Sequence, residues 1–197
     1  VATVLVQNGT LRIGDTIVTR ETAALARRAV GMVFQDPDDQ LFMPTVAEDV
    51  AFGPLNAGLP ADQVESRIAS ALDRVGMAHL RERPPYRLSA GEKRAVAIAS
   101  VLAMSPDILV MDEPSSNLDP RARRRLIRHL LSFEHTKIIA THDLELVVEV
   151  CRHALVMDDG RIVARGPAVE ILADENLMLA HGLERPHSLR HAHPSRP

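Results

Sequence analysis

The sequence predicts an α/β fold with a mostly parallel sheet, because short apolar strands alternate along the chain with segments of helical periodicity. Strands are predicted over 29–34, 107–112 and 137–141, where nearly continuous aliphatic runs are typical of strands covered on both faces. The apolar residues of 61–76 instead recur with a helical period of about 3.6 residues. A long, largely helical insertion therefore separates the first of these strands from the second.

The amino-terminal part combines short strands with a long irregular segment. Two strands are predicted over 10–19, joined by a turn at Gly14-Asp15. Residues 35–60 are predicted to form a loop, since six Pro and Gly residues interrupt them. The helix that follows this loop is expected to end at Gly76.

Two later helices have recognisable starts. A helix is predicted from Ser89 to about Met104, and Ser89 with Glu92 three residues later forms a capping box. Pro120 suits the first turn of a helix over 120–131. The predicted strand at 107–112 lies between these two helices in the sequence.

The carboxyl-terminal part is predicted to contain a helix, a hairpin and a polar tail. The helix covers 143–151, and the hairpin over 153–166 turns at Asp159-Gly160. From about residue 174 the chain is polar and His-rich, so a disordered tail is expected. Weak Co²⁺ or Ni²⁺ binding by the tail is left open by its histidines, which are His181, His187, His191 and His193.

Composition excludes several classes of protein. The 197 residues suffice for one domain or one and a half, and the low aromatic content of 3% predicts a core of Ala, Leu, Val and Ile. A net charge of −3 argues against non-specific nucleic-acid binding. The longest apolar run, 95–104, is too short to cross a bilayer, and no signal peptide is visible. A soluble protein is expected, with any membrane role arising through a partner.

The predicted strand at 107–112 ends in two acids, Asp112 and Glu113, within the stretch DILVMDEPSSNLDP. In an open α/β sheet ligands bind beyond the carboxyl ends of the strands, where Asp112 could hold Mg²⁺ directly or through water. Glu113 would point elsewhere and could polarise an attacking water. An ordinary strand end with an acidic turn is the alternative that these residues leave open.

A second candidate site is the helix start in YRLSAGEKRAVAIASVLA (86–103). A helix amino terminus that begins with Ser89 and contains Gly91 offers free N–H groups and the positive end of the helix dipole, which together can bind an anion. An ordinary capped helix is the alternative on this stretch alone.

Taken in order, LSAGE, ILVMDEPSSNLDP and IIATHD resemble the nucleotide-binding subunit of an ATP-binding cassette (ABC) transporter. They correspond to its signature motif, its Walker B strand with D-loop, and its switch histidine. The segment VFQDPDDQLFMPTVAEDVAFGPLNAGL (33–59) resembles its Q-loop region. The DPDDQ stretch of this segment and the tail AHGLERPHSLR are similar to sequences in the ATPases of energy-coupling factor transporters, which import cobalt, nickel or vitamins.

The resemblance implies a P-loop NTPase (RecA-like) core with an inserted helical subdomain. The incomplete core is expected over 1–42 and 105–172, the helical signature subdomain over 43–104, and a partly disordered tail over 173–197. ATP and Mg²⁺ are the implied cofactors. The implied partners are a second ABC ATPase subunit, a transmembrane coupling subunit and a substrate-specificity subunit, at the cytoplasmic face of the membrane and without nucleic acid.

The resemblance also implies roles around the nucleotide for four side chains. Gln35 resembles the Q-loop glutamine that senses Mg²⁺ and the attacking water. Asp112 resembles the carboxylate associated with Mg²⁺, and Glu113 resembles the catalytic base. His142 resembles the switch that senses the γ-phosphate.

Three further residues are implied to act across a dimer. Ser89 and Gly91 resemble the signature contacts to the γ-phosphate held by the opposite subunit, and Asp119 resembles the D-loop aspartate. The sequence departs from the family pattern at Ala90, where a second glycine is usual, and at Glu92, where glutamine is more familiar.

The largest departure is that no P-loop, G-x-x-x-x-G-K-[ST], occurs in these residues. The two lysines, Lys93 and Lys137, follow Glu92 and Thr136 instead of glycine. The segment VATVLVQNGTLRIGD resembles the part of the family that follows the P-loop helix, so we expect an amino-terminal truncation. The alternative reading is a catalytically incompetent chain, or a non-catalytic partner subunit.

Other patterns favour plain structural roles. Asp36, Asp38 and Asp39 are expected to form a solvated acidic loop, because their spacing does not fit an EF-hand. Cys151 is expected to be a buried thiol on a helix. Core filling is expected of the methionines, which include Met32, Met43, Met104, Met111 and Met157. A solvated helix face is expected of the arginines of 121–129, which are Arg121, Arg124, Arg125 and Arg128.

Overall fold

The structure is a computed structural model that describes residues 4–7, 10–13, 16–17, 19–134 and 136–190. The chain divides into two compact units, Val1–Ala140 and Thr141–Pro197. The turn predicted at Gly14-Asp15 and the last histidines of the tail, His191 and His193, lie outside the described residues.

The first unit begins with a small antiparallel sheet in the order β1-β2-β3. Its strands are β1 (Val4–Gln7), β2 (Thr10–Ile13) and β3 (Thr16–Ile17). The antiparallel pairing of β2 with β3 confirms the two strands predicted over 10–19. The sequence reading missed β1, although its Val-Leu-Val run has the composition that favours strands.

A parallel sheet forms the centre of the first unit and confirms the predicted fold class. Helix α1 (Ala23–Ala29) leads into β4 (Val30–Val33), which pairs with β5 (Ile108–Asp112). On its other edge β5 pairs with β6 (Thr136–Ala140), so the order is β4-β5-β6. The carboxyl ends of the three strands therefore lie along one edge, where ligands bind in open α/β sheets.

Three helices form the insertion between β4 and β5. They are α2 (Val46–Asn56), α3 (Ala61–Arg74) and α4 (Ala90–Leu102). Helices α3 and α4 confirm the two that were predicted there, and Gly76 (φ +71°) follows the end of α3 in the left-handed conformation typical of a glycine after a helix.

The prediction that all of 35–60 is a loop is wrong, because α2 occupies Val46–Asn56. The hydroxyl of Thr45 accepts a hydrogen bond from the N–H of Glu48 and caps the helix start. Val46, Val50 and Pro54 recur at four-residue spacing and are buried. Burial of that face outweighs the helix-breaking tendency of Pro54, which lies in the last turn of the helix.

The buried residues of the first unit come mainly from α2, α3, α4, β5 and α5 (Pro120–Ser132). Helix α4 is buried along most of its length, and its contribution to the core includes Val96, Ile98 and Val101. The predicted helix over 120–131 is confirmed by α5, whose predicted arginine face is the side turned to solvent: Arg121, Arg124 and Arg128 are exposed and Arg125 is half-buried.

The second unit consists of helix α6 (Leu144–Val150) and a hairpin, followed by short helices. The hairpin strands are β7 (His153–Asp158) and β8 (Arg161–Pro167). Asp159 (φ +45°) and Gly160 (φ +72°) both adopt the left-handed conformation that a two-residue type I′ turn requires. This confirms the hairpin predicted over 153–166.

The prediction of a disordered tail is wrong for residues up to 190. Helices α7 (Ala168–Ala173), α8 (Glu175–Ala180) and α9 (His187–Arg190) follow the hairpin. Met178 and Leu189 from these helices pack in a buried cluster with Val156 and Leu172. A few well-spaced apolar residues among polar ones suffice to order the segment. The polar composition of the tail did not indicate this.

Two of the methionines expected in the core are exposed, so that prediction is wrong for them. Met111 is fully buried in β5, but Met32 is 49% exposed and Met157 is 66% exposed. Because side chains alternate across a strand, the burial of Val33 turns its neighbour Met32 to the other face of β4. Cys151 is also displaced from its predicted position, because it is half-buried and caps the end of α6 instead of lying within it.

Candidate functional site

The two acids of the Walker B-like stretch lie where β5 ends. Asp112 is the last residue of β5 and pairs in register with Ala140 at the end of β6. The N–H of Glu113 continues this pairing by donating a hydrogen bond to the Ala140 carbonyl oxygen at 2.8 Å. Both acids therefore stand at the carboxyl edge of the parallel sheet, as predicted from the sequence.

Glu113 adopts an unusual backbone conformation with φ +42°. The left-handed region costs a residue with a side chain roughly 1–2 kcal/mol. The chain turns back at this point, since the N–H of Ser116 donates to the Glu113 carbonyl oxygen at 3.1 Å, and Asn117 is again left-handed. Such backbone outliers concentrate at functional sites, and this conformation therefore favours a functional role for Glu113.

A surface cleft of about 630 Å³ brings Gln35 and Asp112 together. Ala90, the first residue of α4, also lines it. Its wall further includes the acidic loop and the turn after β5, with Asp36, Asp38, Asp39, Ser116 and Asn117. As predicted, the three aspartates of the loop are exposed to solvent. The cleft thus joins Gln35, the carboxyl end of β5 and the start of α4, the helix that begins in the signature-like LSAGE and is therefore named the signature helix.

The donor set of the cleft fits Mg²⁺. The Asp112 carboxylate and the Gln35 amide oxygen are hard ligands, and Mg²⁺ uses one or two carboxylates while water and phosphate oxygens complete its shell. Over the described part of the chain there is no group of three or more His, Cys, Asp or Glu that could hold a metal ion alone. Mg²⁺ that arrives with a nucleotide does not require such a group.

The cations that line the cleft are both engaged by the protein. Lys93 Nζ contacts Asp38 Oδ1 at 2.6 Å, and the Arg94 guanidinium donates to backbone carbonyl oxygens. The positive charge that a P-loop lysine would place on the β- and γ-phosphates is therefore not supplied by these two residues.

Ser89 caps α4 in the capping box predicted from the sequence. Its N–H donates to Glu92 Oε2 at 2.8 Å and its hydroxyl to the same oxygen at 2.9 Å. The backbone hydrogen bond from Ser89 is the main reason why the pKa of Glu92 is lowered. Ser89 is exposed, so the amino terminus of this 13-residue helix is open to solvent.

Close packing between two helices accounts for the glycine at position 91. A Cβ at this position would lie 2.7 Å from the Cβ of Ala122, closer than real Cβ atoms approach. Ala122 belongs to α5, so the absence of a side chain at Gly91 allows α4 and α5 to pack closely. The structure thus explains this glycine without a phosphate.

Asp119 is the N-cap of α5. Its Oδ1 atom accepts hydrogen bonds from the N–H groups of Arg121 at 2.7 Å and Ala122 at 3.0 Å. The bond from Ala122, followed by that from Arg121, lowers the pKa of Asp119. The carboxylate is therefore kept ionised at the start of a helix, where negative charge is favoured.

His142 lies in the second unit, two residues after the end of β6, and is exposed. Its neighbours form a local turn, in which the Asp143 N–H donates to Thr141 Oγ1 at 3.0 Å. Asp143 Oδ1 then accepts from the Leu146 N–H at 2.9 Å and caps α6. His142 thus lies in a local turn that leads into the start of α6.

Sequence reasoning missed three polar residues that order the segment between β4 and α2. Asp49 is buried, and its Oδ1 atom accepts from the N–H groups of Phe42 at 2.9 Å and Met43 at 3.0 Å. Burial raises the pKa of Asp49. Arg94 and Gln40 hold the beginning of the same segment. The available signal was a charged residue, Arg94, directly preceding a long apolar run.

Comparison with protein families gives one match that covers more than half of the chain. Residues 2–116 match the family model described as ABC transporter. A relative from Geobacter sulfurreducens, named as an ABC transporter ATP-binding protein, is 59% identical over 182 residues, which cover 92% of this chain and 73% of that protein.

Two further relatives carry more particular names. The energy-coupling factor transporter ATP-binding protein EcfA of Methanothermobacter thermautotrophicus is 47% identical over 163 residues, covering 81% of this chain and 52% of that protein. The solved structure of CbiO1 from Clostridium perfringens, described as part of the ABC transporter complex CbiONQ, has a TM-score of 0.77 at 37% identity. The similarity covers 86% of this chain and 70% of that one.

Proposed function

Because the chain belongs to the family of ABC transporter ATP-binding proteins, we propose that it energises import of cobalt, nickel or a vitamin through a transporter of the energy-coupling factor type. The observation that carries the proposal is the cleft shared by Gln35, Asp112 and the start of the signature helix. The similarity to EcfA and to CbiO1 supports the transporter type. The family performs ATP hydrolysis coupled to transport.

In this proposal Asp112 and Gln35 would hold the Mg²⁺ that accompanies ATP. When bound, that ion would neutralise charge on the phosphate oxygens. Glu113, whose backbone is left-handed at the turn after β5, would accept the proton of the attacking water. His142 senses the γ-phosphate, as the family resemblance implies.

The exposed start of α4 supports a role across a dimer. Ser89 and Gly91 would approach the γ-phosphate held by a second ATPase subunit, where helix N–H groups and the helix dipole favour an anion. Asp119 would act across the same interface. ATP would then be bound between two subunits, and its hydrolysis would allow the subunits to separate.

The helical signature subdomain, 43–104, is proposed to transmit this motion to a transmembrane coupling subunit. Phe42 and Phe52 are exposed and form an edge-to-face pair with ring centroids 4.9 Å apart, and Leu55 nearby in sequence is also exposed. Aromatic residues on an open surface are typical of partner contacts. In the part of the chain that the structure describes, each helix is too short or too polar to cross a bilayer. Substrate choice is proposed to lie in a separate subunit.

Glu113→Gln tests the catalytic assignment in the protein expressed from its natural gene with its transport partners. Since the amide cannot accept the proton of water, ATP hydrolysis should fall about 100- to 10,000-fold, the usual range for loss of a general base. ATP should remain bound, so nucleotide retention after gel filtration should rise. Unchanged hydrolysis together with unchanged retention would contradict the proposal.

A second candidate function is suggested by the absence of Gly-Lys-Ser or Gly-Lys-Thr from the 197 residues. Here the chain is non-catalytic and lends its signature face to a complete partner subunit. Calorimetry on the 197-residue chain tests this second candidate, because a chain without a phosphate cradle should bind ATP weakly or not at all. Micromolar affinity for Mg-ATP would exclude this second candidate.

A further inference from the structure

The segment that carries Gln35 is attached to the signature helix through a buried arginine. Arg94 is only 3% exposed and lies in the second turn of α4. Its Nη1 atom donates to the carbonyl oxygen of Phe34 at 2.7 Å, and its Nη2 atom donates to that of Gln35 at 2.6 Å. The fork of the guanidinium thus holds two consecutive peptide groups at the exit of β4.

Gln40 fastens the other end of the same segment to α4. Its Nε2 atom donates to the carbonyl oxygen of Ala97 at 2.8 Å and to Ser100 Oγ at 3.0 Å. Its Oε1 atom accepts from the N–H of Phe34 at 3.2 Å. Phe34 is therefore linked to α4 directly through its carbonyl oxygen and indirectly, by way of Gln40, through its N–H. The segment 34–40 is thus attached to the helix near both of its ends.

An arginine is an unfavourable choice if packing alone is required at this position. Burial lowers the pKa of Arg94, which expresses the cost of removing its charge from water, and the negative charge of Asp36 compensates in part. A hydrophobic side chain of similar volume would fill the space without that cost. What the guanidinium adds is a fixed orientation of the Phe34 and Gln35 peptide groups.

We propose that Arg94 is a positioning residue that holds Gln35 toward the cleft and makes it move together with Ser89. Ser89 caps the same helix five residues earlier, so a rotation of α4 displaces both side chains at once. A subunit that closes onto nucleotide would thus couple the signature contact to the glutamine beside Asp112. This inference rests on the proposed ATPase function and adds Arg94 to the residues that serve it.

The test is a double-mutant cycle between Arg94 and Gln35 in the protein expressed from its natural gene and assembled with its partners. Arg94→Met should lower kcat about 10- to 100-fold, as expected for misplacement of a catalytic side chain, while KM for ATP changes little. In a Gln35→Ala background the same substitution should lower kcat by less than about twofold, because the residue it positions is gone. A merely structural role would give equal factors in both backgrounds.

Two further variants keep the result interpretable. Arg94→Lys retains the charge but cannot bind both carbonyl oxygens as a fork, so it should recover part of the lost kcat and still depend on Gln35. Arg67→Met is the matched control: Arg67 Nη1 donates to the carbonyl oxygen of Ala103 at 2.9 Å, just after the far end of α4, and its loss should change kcat by less than about twofold. If Arg94→Met fails to fold, the Lys variant carries the cycle.

The outcomes separate this inference from the proposed function. If the wild-type protein hydrolyses ATP but Arg94→Met leaves kcat unchanged, the inference is overturned and the proposed function stands. The same conclusion follows if Arg94→Met lowers kcat by equal factors in the wild-type and Gln35→Ala backgrounds. Absence of ATPase activity from the assembled wild-type protein would overturn both.

Discussion

At the scale of single residues, Gly91 satisfies two demands that have different physical origins. Its place in LSAGE predicts a contact with phosphate, which a side chain would crowd. The structure adds a contact with α5, where Ala122 leaves no room for a Cβ. A loss of function at Gly91 could therefore arise from either cause, and only a measurement of stability separates them.

Gly91→Ala should destabilise the isolated chain by about 1–3 kcal/mol, the usual range for an overpacked contact. The extra methyl group would overlap the Cβ of Ala122, and the substitution Ala122→Gly would remove that overlap. In the Ala122→Gly background, Gly91→Ala should cost little or even stabilise the helix, since alanine is the better helix former. Urea unfolding of the four proteins measures this, and additive effects would refute the packing explanation.

At the scale of elements, helix starts carry both structural and proposed functional roles. Ser89 and Asp119 are the N-caps of α4 and α5, and each is also expected to face the nucleotide of a second subunit. The two roles are compatible because a capping side chain lies beside exposed N–H groups that can bind phosphate. Substitution by alanine at either position would disturb both roles.

Asp119→Asn separates the two roles at α5. Asparagine is as good an N-cap as aspartate, so stability should be nearly unchanged, whereas Asp119→Ala should lower the melting temperature by about 2–4 °C. Because the folded state lowers the pKa of Asp119, its ionic contribution is present above the pKa of the unfolded chain and is lost as pH falls through the lower folded value. If Asp119 acts across a dimer, the Asn variant should still lose ATPase activity.

Melting curves at neutral and acidic pH, together with ATPase assays, check this prediction. An Asn variant with full stability and full activity would limit Asp119 to capping. An Asn variant as unstable as the Ala variant would contradict the capping explanation.

At the scale of the whole molecule, each of the two units has a core of its own. The second unit gathers Val156, Leu172, Met178 and Leu189 into one buried cluster. The segment after residue 174 is thus part of a folded unit, although its composition suggested a tail. His181 Nδ1 lies 2.8 Å from Asp158 Oδ2, which links the end of α8 to the hairpin.

Met178→Ala should destabilise the second unit by about 2–5 kcal/mol, because Met178 is fully buried and its removal leaves a cavity. Leu179→Ala is the matched control next to it, since Leu179 is 64% exposed and its substitution should change stability by no more than about 0.5 kcal/mol. Hydrogen exchange of residues 141–190 in the full chain measures both. Equal exchange in the two variants would show that the cluster does not stabilise this unit.

Local interactions let the sequence by itself determine much of the fold and of the candidate site. The capping box at Ser89, the turn at Asp159-Gly160 and the strand that ends in Asp112 all depend on residues within a few positions of one another, so the pattern of residue types was enough to predict them. The family-specific motifs are equally contiguous, which is why the ATPase class could be predicted without coordinates.

Only the tertiary structure decided the features that depend on residues far apart in the chain. Helix α2 forms despite Pro54 because its buried face packs in the core, and Arg94 reaches the carbonyl oxygens of Phe34 and Gln35 across about 60 positions of sequence. The neighbour that forbids a side chain at Gly91 belongs to another helix. Such contacts depend on how elements pack in space, and a linear pattern of residues carries no record of that packing.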